Sequence, residues 1–495
     1  MKKFNLLVLG LSSLLLLGSC GGKNNDKDNL NHLENKNFEY NIQYNKVNIT
    51  KYKGNDNKVI IPSIINGKEV TTISKDAFKN CSNIEEIVVS DGVKTLNRCF
   101  NSLPNLKKVH LADSVESMID AVNGCNSFDG YYINDLTSFM NINITSYSDK
   151  NLYNLYLNDK LVENLIIPTT ITEVKENSFN NCKSIKSIKL HDNIKKVGSS
   201  FNDTPNLKSI YVDDLVSWCN IDFREGLING RDFYVNNDLI EELVVPEITE
   251  VKDNTFNNAN FKKITIPSTV KNIGDYSFAN CKNLKTVDLK EGITNIGNGS
   301  FAQCVALEDI KLANSIVSIG DNAFSNNNFS SLTLPNSLKE IGNNAFEGNK
   351  NLVSVKFKDG IETIKNNAFS ACTKLDNVVL PNTVKNLGNS TFYNCSSLKN
   401  IQLSSSLTTL PSRVLDGTAI ESFVIPSNIK NFGIYPLGNS IKKLYIPYEI
   451  EEIKNPITKG NPELIVYCER PEGYAGYMEG FVEDSNKIIY GYEIR

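Results

Sequence analysis

The stretch from Gly274 to Cys304 reads GDYSFANCKNLKTVDLKEGITNIGNGSFAQC, and it states one pattern twice. Phe278 lies three residues before Cys281, and Phe301 lies three residues before Cys304. An Ile-Gly step precedes each Phe–Cys pair. The stretch therefore predicts a structural unit that repeats at this spacing, and it raises the question of what the recurring cysteine does.

The same unit recurs along most of the 495-residue chain. Within each uninterrupted run, the landmark phenylalanines are 22 or 23 residues apart, and Leu415 and Leu437 continue the spacing in degenerate form. A fixed period in this range is typical of a solenoid, in which each coil covers the apolar face of the next. The landmarks are Phe78, Phe100, Phe179, Phe201, Phe256, Phe278, Phe301, Phe324, Phe346, Phe369 and Phe392.

Each unit contains a short alternating apolar segment such as Leu375–Pro381, which predicts a β-strand that ends at the proline. The Gly-x-x-Ala-Phe segment that follows is too short for a regular helix, and we expect one helical or 3-10 turn there. A single unit buries too little apolar surface to offset the entropy of ordering it. Stacked units are therefore expected to form a parallel sheet along one face of a curved rod.

Three further stretches carry a family resemblance. The opening segment 47–54, the insert 214–223 with its weaker copy 135–144, and the closing segment 467–492 resemble parts of the BspA-like leucine-rich repeat family of bacterial surface proteins. The resemblance covers about residues 38–495. It implies an α/β, β-rich leucine-rich repeat solenoid that coils right-handedly, with a parallel sheet along one face.

The N-terminus resembles a bacterial lipoprotein signal peptide. A basic start and the apolar run 6–17 lead into Leu17, Gly18 and Ser19, directly before Cys20. Small residues admit the peptidase to the bond before Cys20, and only a thiol can accept the diacylglycerol. The alternative is an ordinary secretory signal with a chance cysteine. The first interpretation predicts an exported chain that is lipid-anchored to the outer face of a membrane and touches the membrane only there.

These features predict four segments. The signal peptide is followed by a polar tether that lacks the apolar residues to fold, then by the repeats with two inserts, and finally by a cap. The boundaries are 1–19 for the signal peptide, 20–37 for the tether, 38–467 for the solenoid with inserts near 128–165 and 211–242, and 468–495 for the C-terminal cap.

Composition narrows the function classes. The formal net charge of −4 argues against a nucleic-acid partner, because binding to phosphates requires a basic surface. The chain has three histidines, His32, His110 and His191, and no C-x-x-C pair, so we predict no metal and no cofactor. We interpret the abundance of Asn, Lys and Ile as compositional bias.

The recurring cysteine has four possible roles: metal ligand, nucleophile, half of a disulfide, or small buried plug. Clustered ligands or a partner base would be needed for the first two roles, and the repeats supply neither. Ala259, Asn327 and Asn349 fill the same column elsewhere, which favours the plug, although a disulfide between neighbouring coils stays open. The predicted repeat core is Phe278, Cys281, Phe301, Cys304, Phe324, Phe346, Phe369, Cys372, Phe392 and Cys395.

The outward position of each strand offers a candidate binding surface. It is polar in the middle of the array and becomes apolar towards the C-terminus at Val379, Val424 and Tyr445. Together with the intervening Gln402, these residues form the candidate protein-binding face. Grouped exposed apolar residues mark interfaces. The alternatives are β-propensity at an exposed strand position and cover by the C-terminal cap.

The sequence thus favours a non-catalytic surface lipoprotein. The family resemblance implies adhesion to host matrix or plasma proteins or to other bacterial cells. The alternative is an envelope scaffold or assembly lipoprotein whose partner belongs to the same cell. A glycosidase would require two carboxylates at a defined separation, and the repeats mark no such pair.

Overall fold

The computed structural model describes residues 35–145, 151–477, 480–482 and 487–493. The predicted signal peptide, including Leu17, Gly18, Ser19 and Cys20, lies outside the described residues, as does most of the tether. The first described element is a 3-10 turn at Asn35–Asn37, followed by the first strands of the solenoid.

Each coil contributes one strand to a front row, which corresponds to the parallel sheet predicted from the sequence. Neighbouring front strands pair in parallel and in register, for example Ile264 with Val287. The front strands are Lys58–Ile61, Glu86–Val89, Lys108–His110, Gly130–Ile133, Asn154–Leu157, Asn164–Ile166, Ser187–Leu190, Ser209–Val212, Asp232–Val235, Glu242–Val244, Lys263–Ile266, Thr286–Leu289, Asp309–Lys311, Ser331–Thr333, Ser354–Lys356, Asn377–Val379, Asn400–Gln402, Ser422–Val424, Lys443–Ile446, Ile465–Cys468 and Lys487–Tyr490.

A second row of parallel strands runs along the back of the coils, at the Ile of the Ile-Gly step, and the sequence analysis did not predict it. Ile273 pairs there with Ile296 of the next coil. The back strands are Lys46–Tyr52, Lys68–Ile73, Thr95–Asn97, Ser117–Ile119, Asn143–Thr145, Glu173–Val174, Lys196–Val197, Asp222–Phe223, Glu250–Val251, Asn272–Ile273, Asn295–Ile296, Ser318–Ile319, Glu340–Ile341, Thr363–Ile364, Asn386–Leu387, Thr409–Leu410 and Asn431–Phe432.

Four short antiparallel strands complete the described sheets: Phe38–Gln43, Ile64–Ile65, Lys160–Leu161 and Asp238–Leu239. The first one covers the N-terminal end of the back row. The last two follow two-residue hairpin turns within the inserts and end the local front sheet. The front row is therefore a series of sheets with six, five, four, four and four strands within the described residues, rather than one continuous sheet.

The Gly-x-x-Ala-Phe segments are successive tight turns in place of the expected helical or 3-10 turn. The Ser277 N–H donates to Gly274 O over 3.4 Å, and the Ala279 N–H donates to Tyr276 O over 3.2 Å. Tyr276 and Asn280 have φ angles of 53° and 61°, so the backbone leaves the right-handed helical region twice in five residues. Asparagine tolerates this region better than most residues and fills many of the equivalent positions.

Two five-residue helices lie in the inserts: α1 at Leu136–Met140 and α2 at Leu215–Cys219. Asp135 and Asp214 cap them, each carboxylate accepting from a backbone N–H three residues later at 2.7 Å. Trp218 of α2 is buried between Phe223 and Phe233, so this tryptophan packs in the core.

The core is organised around stacked phenylalanines. From Phe256 to Phe392 the landmark rings of successive coils are buried and nearly parallel. The rings of Phe278 and Phe301 are 5.2 Å apart with an interplanar angle of 8°. Offset stacking of this kind adds about 0.5–1.5 kcal/mol per pair beyond area burial, so the column stabilises neighbouring coils jointly. The intervening members are Phe278, Phe301, Phe324, Phe346 and Phe369, and all are fully buried.

Candidate binding face

Four of the recurring cysteines, those predicted for the repeat core, are buried and donate weak hydrogen bonds to the preceding coil. Cys304 Sγ donates to Phe278 O at 3.2 Å, and Cys395 Sγ donates to Phe369 O at 3.2 Å. Asn349 fills the same column, and its side-chain amide donates to Phe324 O at 2.9 Å. Cys281 and Cys372 make the same contact, with Phe256 O and Phe346 O. At these five positions the column therefore supplies a small buried donor to a carbonyl of the preceding coil.

The buried thiols are poor nucleophiles. Burial raises the pKa of Cys395 to about 12 and raises the pKa values of Cys304 and Cys372 well above their ordinary range. The ten cysteines of the described residues are all free thiols, including Cys281 beside Cys304. Because the thiolate is the form that attacks substrates or binds metal, Cys304, Cys372 and Cys395 are poorly suited to either role at neutral pH.

A ladder of Asp and Asn side chains, which the sequence analysis missed, joins the coils after the Ile-Gly step. Asp275 Oδ1 accepts from the Asn298 N–H at 2.7 Å, and Asn298 Oδ1 accepts from the Asp321 N–H at 2.8 Å. Each of these three residues follows a glycine, because the backbone of the preceding coil leaves no room for a Cβ at that position. A Cβ at Gly297 would lie 2.6 Å from Ile273 O. The ladder is structural and explains part of the asparagine content that we attributed to bias.

The structure places the four residues of the predicted C-terminal patch in two separate sheets. Val379 pairs with Gln402, and Val424 pairs with Tyr445. Val379 and Val424 are each 49% exposed, Gln402 is exposed, and Tyr445 is half-buried. The patch is therefore outward-facing, but no strand pairing joins its two halves among the described residues.

The C-terminal cap extends the second half of this patch. The Tyr467 ring stacks on Tyr445 at 4.8 Å between centroids, and Tyr492 contacts both rings at 4.9 and 5.9 Å. The cap thus covers Tyr445, as the alternative interpretation expects, and adds aromatic surface of its own.

A longer outward row of apolar and aromatic side chains lies in the N-terminal coils. The Tyr132 and Tyr156 rings are parallel within 5° at 4.3 Å, and His110 stacks on Tyr132 at 4.7 Å. We call the full set the aromatic row. Strand register joins its members in the order Ile60, Val88, His110, Tyr132, Tyr156 and Leu161.

The second insert builds a shorter row in the same way. Tyr211 and Tyr234 stack at 4.5 Å, and Leu239 pairs with Tyr234 from the hairpin. Ile166, which is 66% exposed, begins this second row and is joined to it through Lys189. The inserts interrupt the 22- or 23-residue period, so Tyr132, Tyr156 and Tyr234 do not fall at the outward position predicted from the repeats. Sequence spacing alone therefore did not reveal either row.

Charges beside the aromatic row are paired along one edge. Lys58 Nζ lies 2.8 Å from Glu86 Oε1, and Lys108 Nζ lies 5.3 Å from the centre of the Tyr132 ring. His110 Nε2 lies 3.1 Å from Glu86 Oε1, but burial lowers the pKa of His110 and outweighs the carboxylate. His110 is therefore neutral at pH 7.

Three other aspects of the described residues bear on function: metal-binding groups, cavities and membrane-spanning helices. No group of three or more His, Cys, Asp or Glu side chains within them is placed to hold a metal ion. Two small cavities near the inserts have volumes of about 50 and 40 Å³. No helix of the described part is long and apolar enough to cross a bilayer.

The stacked coils, paired strands and repeated Phe column define a leucine-rich repeat solenoid. The chain belongs to the BspA-type leucine-rich repeat family: that region, with six copies, matches residues 27–127, 56–162, 150–220, 249–374 and 317–444. The family assignment and the class of fold expected from the sequence are thereby confirmed. No curated protein matches the chain.

Solved structures of bacterial leucine-rich repeat proteins are similar over most of the chain. One from Bacteroides ovatus is 18% identical, covers 92% of this chain and 98% of its own, and has a TM-score of 0.44. One from Eubacterium ventriosum is also 18% identical, covers 81% and 94%, and has a TM-score of 0.41. The pneumococcal vaccine antigen PcpA is 16% identical, covers 92% and 98%, and has a TM-score of 0.29. At these values the likeness carries nothing about function.

Proposed function

We propose that this chain is a non-catalytic, surface-anchored lipoprotein whose solenoid binds proteins, acting as an adhesin for host matrix or plasma proteins or for other bacterial cells. The observation that carries the proposal is the outward front row, where aromatic and apolar side chains line up over many coils. Broad faces of this kind suit many modest contacts with a macromolecule, whereas a small substrate needs a deep pocket.

Anchoring is proposed from the sequence before and at Cys20. The diacylglycerol would attach to the Cys20 thiol after cleavage of the bond that follows Ser19, and the polar tether would separate the solenoid from the membrane. Replacing Cys20 with Ser should abolish lipid labelling and release the chain from the membrane fraction. Retention in the membrane fraction by the C20S chain would contradict lipid anchoring.

The second candidate function is an envelope scaffold that binds a partner of the same cell. It uses the same face and the same anchor, so the structure favours neither candidate over the other. Protease treatment of intact cells separates them, because a displayed adhesin is shaved off while an inward scaffold is protected. Lysed cells provide the control that the protease can cleave the chain.

A further inference from the structure

The aromatic row has an acidic edge, which we define as the aspartates three residues beyond members of the two outward rows. Val88, His110, Tyr132 and Tyr156 are in register, and each of these aspartates follows its row member by the same three residues, just beyond the strand. The acidic edge consists of Asp91, Asp113, Asp135 and Asp159 beside the aromatic row, and of Asp192 and Asp214 beside the second row.

Most of these carboxylates have no structural task. Asp135 and Asp214 cap helices α1 and α2, as described above. Asp91, Asp113 and Asp159 are exposed, and none of the three forms an ion pair with another described residue. A row of like charges without counter-charges destabilises the free protein and favours a cationic partner.

The later coils carry acids at the equivalent position only singly, at Glu247, Glu291 and Asp359, so the unbroken edge is a property of the N-terminal half. There the equivalent position holds mostly amides and hydroxyls, such as Asn314, Asn336, Asn382 and Ser405. Asn382 has a structural role, because its Oδ1 accepts a hydrogen bond from the Ser405 N–H of the next coil at 3.1 Å. A run of aspartates in consecutive coils therefore occurs beside the aromatic row, whereas neutral residues separate the acids of the later coils.

We infer that the aromatic row and its acidic edge form a docking face for a basic protein segment, one that presents Lys or Arg beside apolar side chains. Apolar side chains would contact Tyr132, Tyr156 and Leu161, while the cations would pair with Asp91, Asp113 and Asp159. This inference rests on the proposed protein-binding function and names the chemistry of the partner.

A protein partner fits the row better than a glycan does. Tyr132 and Tyr156 stack on each other, and His110 covers the other face of Tyr132. Sugar rings bind to free aromatic faces, but stacking covers both faces of Tyr132 and one face of Tyr156. Tyr156 already donates its hydroxyl to Asp129 at 2.9 Å.

The test measures binding of a 12-residue peptide of alternating lysine and leucine to the full mature chain. Peptides that alternate glutamate with leucine, and lysine with serine, are the probe controls. The triple variant D91N, D113N and D159N should weaken binding of the Lys/Leu peptide about tenfold or more, since it removes three charge pairs. Binding should also weaken as NaCl is raised, because salt screens exposed charges.

A matched variant with the same change in charge uses exposed acids on the front of later coils: E242Q, D309N and D359N. It should bind the Lys/Leu peptide as the parent does, and both triple variants should keep the parent thermal unfolding curve. Equal loss in both triple variants, no effect of D91N, D113N and D159N, or binding of neutral glycans in place of the peptide would each overturn the inference.

The proposed function has a separate readout. If the parent chain binds a host or cellular protein and the D91N, D113N and D159N variant binds it equally, the proposed function stands and the docking inference fails. If the Lys/Leu peptide binds at the acidic edge but no host, bacterial or same-cell protein binds the parent, the docking inference stands and the proposed function fails.

Discussion

Cys304 Sγ lies 3.2 Å from the carbonyl oxygen of Phe278, one coil earlier, and donates a hydrogen bond to it. The contact answers the question raised by the repeated Phe-x-x-Cys pattern. The thiol is small enough to fit beside the stacked phenylalanines, and it supplies a donor to this carbonyl. Because an unpaired buried carbonyl is destabilising, the thiol stabilises this coil beyond its packing, as the Asn349 amide does in another coil.

Truncating a ring of the phenylalanine column should cost much more than truncating its cysteine neighbour. Phe301→Ala removes a fully buried ring stacked on both sides and should lower the free energy of unfolding by roughly 3–5 kcal/mol. Cys304→Ala loses one small side chain and one weak hydrogen bond and should cost far less. Chemical denaturation of both variants checks the order, and an equal cost would contradict the packing account.

Asn349→Cys should leave the protein as stable as the parent or make it more stable. The Asn349 amide nitrogen donates to Phe324 O and Phe346 O, but its Oδ1 is buried without a partner. A thiol keeps a donor in the column and removes the unpaired oxygen, whose desolvation costs about 1–3 kcal/mol. Thermal unfolding measures the change, and the Asn349→Ala variant, which loses the donor as well, is the control.

Thiol reactivity should follow burial. Burial raises the pKa of Cys395 to about 12, so the thiolate fraction at pH 8 is roughly one in ten thousand. The folded chain should therefore resist alkylation at Cys395 up to at least pH 10, and unfolding should restore the rate of an ordinary cysteine. Cys81, which is only half-buried, should react first. Rapid labelling of Cys395 in the folded chain would contradict the buried-donor role.

Adding a methyl group to the glycine of the Ile-Gly step should force neighbouring coils apart. A Cβ at Gly297 would lie 2.6 Å from Ile273 O, inside the contact distance of real side chains, and backbone cannot move aside cheaply. Gly297→Ala should cost about 1–3 kcal/mol. Lys365→Ala, at the same position of a later coil, has room for a Cβ and loses only an exposed ion pair with Glu340, so it should cost less than about 1 kcal/mol.

The two candidate patches make opposite predictions for the same assay. If protein binding uses the N-terminal rows, Tyr132→Ser with Tyr156→Ser should reduce binding of a captured partner, whereas Val424→Asp with Tyr445→Ala should not. The reverse pattern would move the binding face to the C-terminal coils. Surface plasmon resonance with both double variants, after a check of their unfolding curves, gives the comparison.

Sequence periodicity predicted the solenoid and its front strands because one unit repeats with little variation. The Ile-Gly step concealed the back row, since two-residue strands are too short to show an alternating pattern. The tight turns were also missed, because their left-handed positions are filled by Asn in some coils and by Tyr276, Gln303 or Arg413 in others. Stacking enforces these conformations, and local propensity alone does not reveal them.

The candidate face was predicted only in part. The outward position was identified correctly in the regular repeats, so Val379 and Val424 are exposed as the alternation requires. The inserts shift the spacing, and the tyrosines at 132, 156 and 234 therefore fell outside the column. Pairing across the inserted hairpins returns them to register, which is information that only the strand topology contains.

The most direct test of the account is binding of the mature chain to immobilised host matrix and plasma proteins, measured beside whole bacterial cells and lysate of the source cell. The account predicts saturable binding to at least one protein partner, weakened by Tyr132→Ser with Tyr156→Ser and unaffected by Cys304→Ala. A correctly folded chain that binds no protein in any of these arms, or one whose function is lost with the Cys304 thiol while the fold persists, would contradict it.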